Sequence, residues 1–181
     1  MPFLEHEYLT LHDVDGSDEH LVFCEAYSLD VALFLIFDPT QGFLFERRVR
    51  SEDPLFGKII IPAGKIRDLG ERRFPLWGAT RECYEESGTI WSTTISLTPE
   101  FDIQRRIMLY PTLMTGDCWG SVENREPEKK AWVWKRPNEV YQEHSGRVTI
   151  NPSIEIPTTR QVLVEARQKM TQYGISCKVG H

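Results

Sequence analysis

The residues with the clearest chemical potential are three glutamates in a short charged segment. Glu82, Glu85 and Glu86 are spaced i, i+3 and i+4, so one turn of helix would bring their carboxylates together. Like charges at this distance repel and raise one another's pKa, and a bound divalent cation removes the penalty. Oxygen-only ligands are typical of magnesium or manganese sites that also hold substrate phosphates. The spacing therefore predicts a metal site, with a solvated acidic helix face as the alternative.

The helix that must carry these glutamates is delimited by two local signals. Pro75 suits a first helical position, and Gly88 suits the left-handed residue that ends a helix. On a helical wheel of about 100° per residue, Leu76, Ala79 and Cys83 form an apolar stripe beside the acidic one. We expect this stripe to pack on a core and the acidic stripe to stay accessible.

Arg81 lies next to the first of the three glutamates and indicates an ion pair that holds the acids in place. Its planar guanidinium can bind a carboxylate through two parallel hydrogen bonds. Glu71, just before the helix, is the candidate partner.

The segment 64–88 resembles the signature of the Nudix hydrolases. Its second half matches closely, with Arg81, Glu82, Cys83, Glu85, Glu86 and Gly88 in place, although Thr89 stands where the family prefers an aliphatic residue. Its first half is expanded: six residues separate Gly64 from Glu71 and nine separate Glu71 from Arg81, three more in total than in the family signature. Extra residues in a loop change the free energy of folding only slightly, so we expect them to lie in the loop before the helix.

The resemblance implies roles for these residues. Glu82, Glu85 and Glu86 would coordinate magnesium, with manganese as the substitute, together with the backbone carbonyl of Ala63. Gly64, Glu71 and Gly88 would be structural, and Arg81, Glu85 and Glu86 would take part in catalysis. The family takes its general base from a signature glutamate or from a loop outside the signature. Glu126 is our choice for an outside base, with an ordinary loop charge as the alternative.

Three residues outside the signature are candidates for substrate binding. Arg48 follows the second predicted strand, near Arg47 and Arg50, where it can reach phosphates. Trp132 and Trp134 alternate along a predicted strand and therefore share a face, from which they can stack on a nucleobase. Packing on the core is the more common use of tryptophan in a strand and is the alternative for both.

The order of elements predicts an α/β fold. Apolar runs indicate strands at 31–37, 43–45, 58–61, 93–97, 105–114 and 131–134, and a last helix is predicted from Thr158 to Met170. Strands on both sides of the glutamate helix suggest three layers around a central mixed sheet. The Nudix family has this α/β/α sandwich.

Composition limits the class of protein. The chain of 181 residues with 40% apolar residues has no linker or repeat, which favours a single domain over residues 1–181. Residues 1–25 are the exception, because the acidic stretch 13–19 indicates a surface loop or a partly ordered N-terminal arm. The four cysteines form no Cys-x-x-Cys pair, and no secretory signal or membrane segment is visible, so we expect reduced thiols and a cytoplasmic protein. The net charge of −6 argues against a nucleic-acid partner, and a homodimer is compatible with the sequence.

The resemblance implies hydrolysis of a phosphoanhydride bond in a nucleoside diphosphate linked to another group, such as ADP-ribose, a nucleotide sugar or a (d)NTP. The run Pro-Ala-Gly-Lys at 62–65 is similar to the ADP-ribose and nucleotide-sugar branch. The ending Glu-Glu-Ser-Gly and the late tryptophans are equally similar to pyrophosphatases of nucleoside triphosphates, including oxidised ones. Three further interpretations are compatible with the sequence: removal of pyrophosphate from an RNA 5′ end, a Nudix-fold nucleotide-binding module without turnover, and a structural domain with an accidental motif.

Overall fold

The computed structural model describes residues 30–102, 107–154 and 160–178, and the predicted N-terminal arm lies outside them. The strands are β1 Val31–Asp38, β2 Gly42–Arg48, β3 Ile59–Ile60, β4 Ala63–Lys65, β5 Ile90–Ser96, β6 Glu100–Asp102, β7 Ile107–Trp119, β8 Lys130–Lys135, β9 Tyr141–His144 and β10 Arg147–Ile150. The helices are α1 Leu69–Arg73, α2 Pro75–Ser87, α3 Pro137–Val140 and α4 Arg160–Gln172. No helix in the described ranges is both long and apolar enough to cross a membrane.

The sheet is mixed, as predicted. Strands β3, β2, β1, β7 and β5 lie side by side in that order, with β4 paired to β1, β6 to β7 and β8 to β2. The central pair β1 and β7 is parallel, with Val31 opposite Leu109 and Ile36 opposite Met114. The other pairs of this sheet are antiparallel, and β9 and β10 form a separate hairpin.

Strand β1 explains why the sheet is covered on both faces. Its side chains alternate between two apolar clusters, and both sets are buried, which is why the strand reads as a continuous apolar run. The first cluster combines Leu33, Leu35 and Phe37 with Val162, Leu163, Ala166 and Met170 of α4. The second combines Ala32, Phe34 and Ile36 with Ala79 and Cys83 of α2. The predicted α/β/α sandwich is therefore confirmed.

Several elements differ from the sequence predictions. Helices α1 and α3 and the β9–β10 hairpin are too short to produce a clear hydrophobic period, and none was predicted. Strand β7 continues to Trp119, beyond the predicted end at Met114, because β5 pairs with this extension. The predicted starts at Arg105 and Thr158 lie outside the described residues. Cys83, Cys118 and Cys177 are free thiols, and Cys24 lies outside the described residues.

Candidate active site

Helix α2 begins and ends where the sequence predicted. Pro75 is its first residue, and Gly88 caps its end in the left-handed conformation with a φ of 74°. Ala79 and Cys83 are fully buried on the second cluster, whereas Leu76 is only partly buried. The fully buried part of the apolar stripe therefore begins at Ala79 and is shorter than predicted.

Glu82 lies on the buried side of α2, against the backbone of β4. Only 8% of the residue is exposed. A Cβ atom built on Gly64 would lie 1.8 Å from Cδ of Glu82. Glycine at position 64 therefore lets the carboxylate approach strand β4, in agreement with the structural role that the resemblance implies for Gly64.

We expect Gly64→Ala to lower the free energy of unfolding by about 1–3 kcal/mol, because the added methyl group overlaps Glu82. Urea denaturation measures this cost. In a Glu82→Ala background the overlapping atoms are absent, so the cost should fall to about 0.5 kcal/mol or less. An equal cost in both backgrounds would contradict the steric explanation.

Arg81 connects the loop before α2 to the glutamates. Its Nε and Nη2 atoms donate to the two carboxylate oxygens of Glu71 at 2.5 and 3.0 Å, which confirms the predicted contact. Its Nη1 atom donates to Glu82 at 2.6 Å and to Glu85 at 3.0 Å. Its Nη2 atom also donates to the carbonyl oxygen of Lys65 at 2.8 Å. One guanidinium therefore orients two of the three glutamates against strand β4.

The expanded part of the signature is folded into α1, before α2 begins. Asp68 caps α1 by accepting a hydrogen bond from the backbone of Glu71 at 2.9 Å. Arg72 pairs with the buried Asp30 at 2.9 Å and thereby fixes α1 to the start of β1. Burial acts to raise the pKa of Glu71, but hydrogen bonds from Arg81 and Arg67 outweigh it and hold that pKa below its usual value. The extra residues thus leave the register of the glutamates on α2 unchanged.

Glu86 contacts a lysine that sequence reasoning missed. Lys130, at the start of β8, is 2% exposed and donates from Nζ to Oε2 of Glu86. The same Nζ atom lies 3.6 Å from Oε2 of Glu46 and 3.3 Å from Oε2 of Glu126. We refer to Glu46, Glu86, Glu126 and Lys130 as the Lys130 cluster. The structure thus places Glu126, our choice for the outside base, beside a signature glutamate.

The strand pattern contained a signal for this cluster. Lys130, Trp132 and Trp134 occupy alternate positions of β8 and therefore share one side of the sheet. Glu46 lies opposite Trp132 in the neighbouring strand β2 and is 2% exposed. A charged residue at an inward-facing strand position needs a partner, so the alternation indicates a buried acid near Lys130, and the pairing of β8 with β2 makes that acid Glu46.

The three proposed substrate-binding residues have protein partners. Trp132 and Trp134 pack against the second cluster, and the indole nitrogen of Trp132 donates to the carbonyl of Glu123 at 2.7 Å. Both tryptophans are partly buried, so they contact the core and keep part of their surface accessible, and stacking on a nucleobase stays a prediction. Arg48 pairs with Glu46 at 3.0 Å, so it joins the edge of the Lys130 cluster.

Burial is the main reason that the pKa of Glu86 is raised to about 7. The hydrogen bond and charge of Lys130 oppose this shift, while the charges of Glu46 and Glu82 add to it. Burial acts to lower the pKa of Lys130, but its hydrogen bond to Glu86 and the neighbouring carboxylates raise it above its usual value. The lysine therefore stays protonated, and Glu86 changes its charge close to neutral pH.

The raised pKa of Glu86 should make the metal-free protein less stable as the pH rises from 4.5 to about 7. In this window the folded protein holds a proton that the unfolded chain has released, so the free energy of unfolding falls with rising pH. After allowance for partial solvent screening, we expect a change on the order of 2 kcal/mol. Glu86→Gln cannot lose this proton. Its stability relative to wild type, measured by urea denaturation in EDTA, should therefore increase across the window, and a pH-independent difference would refute the assignment.

The carboxylate oxygens on α2 are of the donor type that a hard divalent cation prefers. Glu82 lies in the space that Gly64 leaves open beside β4, and Glu85 is more exposed on the same helix. In the described ranges, no three Asp, Glu, His or Cys side chains converge as a ready-made set of metal ligands. The reason is visible in the contacts, since Arg81 and Lys130 hold the carboxylates. A metal ion would have to replace or share these ion pairs.

Comparisons with known proteins identify similar structures. No protein-family profile matches the sequence, and no curated protein is significantly similar to it. A MutT structure, from a study of Aliivibrio salmonicida and Vibrio cholerae, is 18% identical with a TM-score of 0.50, over 62% of this chain and 82% of the other. The E. coli ORF135 protein is 18% identical with a TM-score of 0.54, over 80% and 91%. The NUDIX domain of Shewanella oneidensis NrtR, in complex with ADP-ribose, is 13% identical with a TM-score of 0.53, over 80% and 88%.

Proposed function

We propose that this chain, which has the Nudix fold, is a metal-dependent hydrolase of a phosphoanhydride bond in a nucleoside diphosphate linked to another group. ADP-ribose, a nucleotide sugar or a (d)NTP would be the substrate. The observation that carries the proposal is the placement of Glu82, Glu85 and Glu86 on one helix that Arg81 fixes against strand β4. A binding site that required only nucleobase contacts would not need this concentration of carboxylates.

The metal would be magnesium, with manganese as the substitute, held by Glu82, Glu85, Glu86 and the carbonyl of Ala63. When bound, it would neutralise phosphate charge and make a coordinated water more acidic. Arg81 contributes by keeping Glu82 and Glu85 in a fixed orientation.

Two carboxylates are candidates for accepting the proton of the attacking water. In the metal-free protein the pKa of Glu86 is raised to about 7, but a metal bound to Glu86 would hold its carboxylate in the charged form. The hydrogen bond from Lys129 is the main cause that lowers the pKa of Glu126, so Glu126 is the weaker base in this arrangement. Glu126, which is outside the proposed metal ligands, and the signature glutamate Glu86 therefore both stay candidates for the base.

We infer the substrate class from the residues at the start of the signature. The Pro-Ala-Gly-Lys run at 62–65 is similar to the ADP-ribose and nucleotide-sugar branch, and the Shewanella NUDIX domain of similar fold was solved with ADP-ribose. Hydrolysis of a nucleoside triphosphate, oxidised or not, is the second candidate because the half-buried Trp132 lies beside the Lys130 cluster. The net charge of −6 disfavours RNA 5′-end processing.

The test is product analysis over a panel of ADP-ribose, nucleotide sugars, nucleoside triphosphates, oxidised dGTP, dinucleoside polyphosphates and 5′-triphosphorylated RNA. Each compound is incubated with magnesium, with manganese or with EDTA. We expect metal-dependent release of a nucleoside monophosphate or of pyrophosphate, with ADP-ribose or a nucleotide sugar as the best substrate. If no compound is cleaved but one raises the melting temperature, the protein is a nucleotide-binding module and not a hydrolase.

A further inference from the structure

Lys130 is a buried cation surrounded by more carboxylates than it can neutralise. Its ammonium group hydrogen-bonds Glu86 and lies within 3.6 Å of Glu46 and Glu126. It also lies 4.9 Å from the centre of the Trp132 ring. Removing an ammonium group from water is costly unless good partners replace the water, so this lysine depends on its acidic neighbours.

The three carboxylates differ in what else holds them. Glu46 also pairs with Arg48 at 3.0 Å, and Glu126 also pairs with Lys129 at 2.5 Å. Among the ion pairs of the described residues, Glu86 has Lys130 as its cation. If Glu86 were taken by another cation, Lys130 would therefore keep Glu46 and Glu126 as partners. The arrangement allows an exchange of Glu86 without leaving a buried charge unpaired.

We propose that Lys130 is a resident counter-ion that competes with the divalent metal for Glu86, and that Glu46 keeps Lys130 paired when the metal takes Glu86. Neither Lys130 nor Glu46 belongs to the signature segment. This inference rests on the proposed function insofar as that function places a metal at the glutamates of α2. Its consequence is that Lys130 reduces the metal affinity of the site and stabilises the metal-free protein.

The experiment is a titration of the full chain with Mn²⁺, in which the EPR signal measures the concentration of free Mn²⁺. Nucleotide is left out, and all variants are compared at the same mildly alkaline pH. We expect Lys130→Met to bind Mn²⁺ at least about tenfold more tightly than wild type, because a positive charge next to the ion is removed. Lys129→Met is the matched control, since Lys129 pairs with Glu126 at 2.5 Å. Its affinity should stay within about twofold of wild type, because that charge is largely solvent-screened.

Glu46→Gln tests the second half of the inference. With its buried partner removed, Lys130 should be held more firmly by Glu86, and Mn²⁺ should bind about threefold more weakly or worse. In the double variant with Lys130→Met this effect should be smaller, because Glu46 acts through Lys130. An undiminished effect in the double variant overturns the role given to Glu46.

Circular dichroism first establishes that each variant is folded. Equal or weaker Mn²⁺ binding by folded Lys130→Met overturns the inference. This is the result expected if Lys130 has only a structural role and does not compete with the metal. If Lys130→Met does not fold, Lys130→Gln replaces it in the titration. In that case, Mn²⁺ binding by Glu46→Gln that is unchanged or tighter than in wild type overturns the inference. The proposed function is tested independently of this inference. If wild type cleaves no compound of the panel, the protein is not a hydrolase, but the Mn²⁺ affinities still decide the role of Lys130.

Discussion

Replacing Glu86 with glutamine should lower metal-dependent turnover by about 10²–10⁴-fold, the range typical for loss of a general base. Glutamine keeps the size of the side chain and an oxygen for Lys130, but it carries no charge for a metal and accepts no proton. The pKa of about 7 applies to Glu86 in the metal-free protein, since a bound cation would hold this carboxylate in its charged form. The turnover rate is measured in excess magnesium as the rate of product formation from the best substrate of the panel.

Glu123→Gln is the control for this experiment. Glu123 carries the same functional group on the loop after β7, 62% of its side chain is exposed, and it pairs with Arg125 at 3.3 Å. Its substitution should leave the rate within about twofold of wild type, as for most exposed charges. Full activity in folded Glu86→Gln would mean that the glutamates of α2 are not the reactive centre.

Replacing Arg81 with glutamine should lower the free energy of unfolding by about 3–5 kcal/mol, which is the cost of removing one partner from a buried ion pair. The change leaves the buried carboxylates of Glu71 and Glu82 without their guanidinium. The melting temperature should fall by about 10 °C. Turnover should fall by about 10–100-fold, as for loss of a group that orients metal ligands.

Arg67 provides the matched control for Arg81. It also pairs with Glu85 at 3.0 Å, but 57% of its side chain is exposed. Arg67→Gln should therefore cost about 1 kcal/mol or less. In a double-mutant cycle, Glu71→Gln should be less costly when Arg81 is already absent, and additive costs would argue against the central role of this guanidinium. Urea denaturation of the four proteins of the cycle and of Arg67→Gln supplies all the values.

Much of the fold was readable from local patterns. The continuous apolar run of β1 required burial on both faces, and Pro75 and Gly88 set the bounds of α2. The partner of Arg81 was also predicted, because a guanidinium can bind a carboxylate through two hydrogen bonds and Glu71 lies just before the helix. The short helix α1 was not predicted, because its five residues are too few to show a helical period and it is held by the pairing of Arg72 with Asp30.

The order of residues on α2 is enough to bring Glu82, Glu85 and Glu86 to neighbouring positions, because helical geometry is a local property. The partners of those carboxylates depend on which strands lie next to one another. Lys130 meets Glu46 only because β8 pairs with β2, and both meet Glu86 only because α2 packs on that face of the sheet. Contacts between elements that are distant in sequence are set by packing, and no local pattern encodes their distances. The acidic helix was therefore evident in the sequence, while the cation that holds Glu86 became evident only in the folded chain.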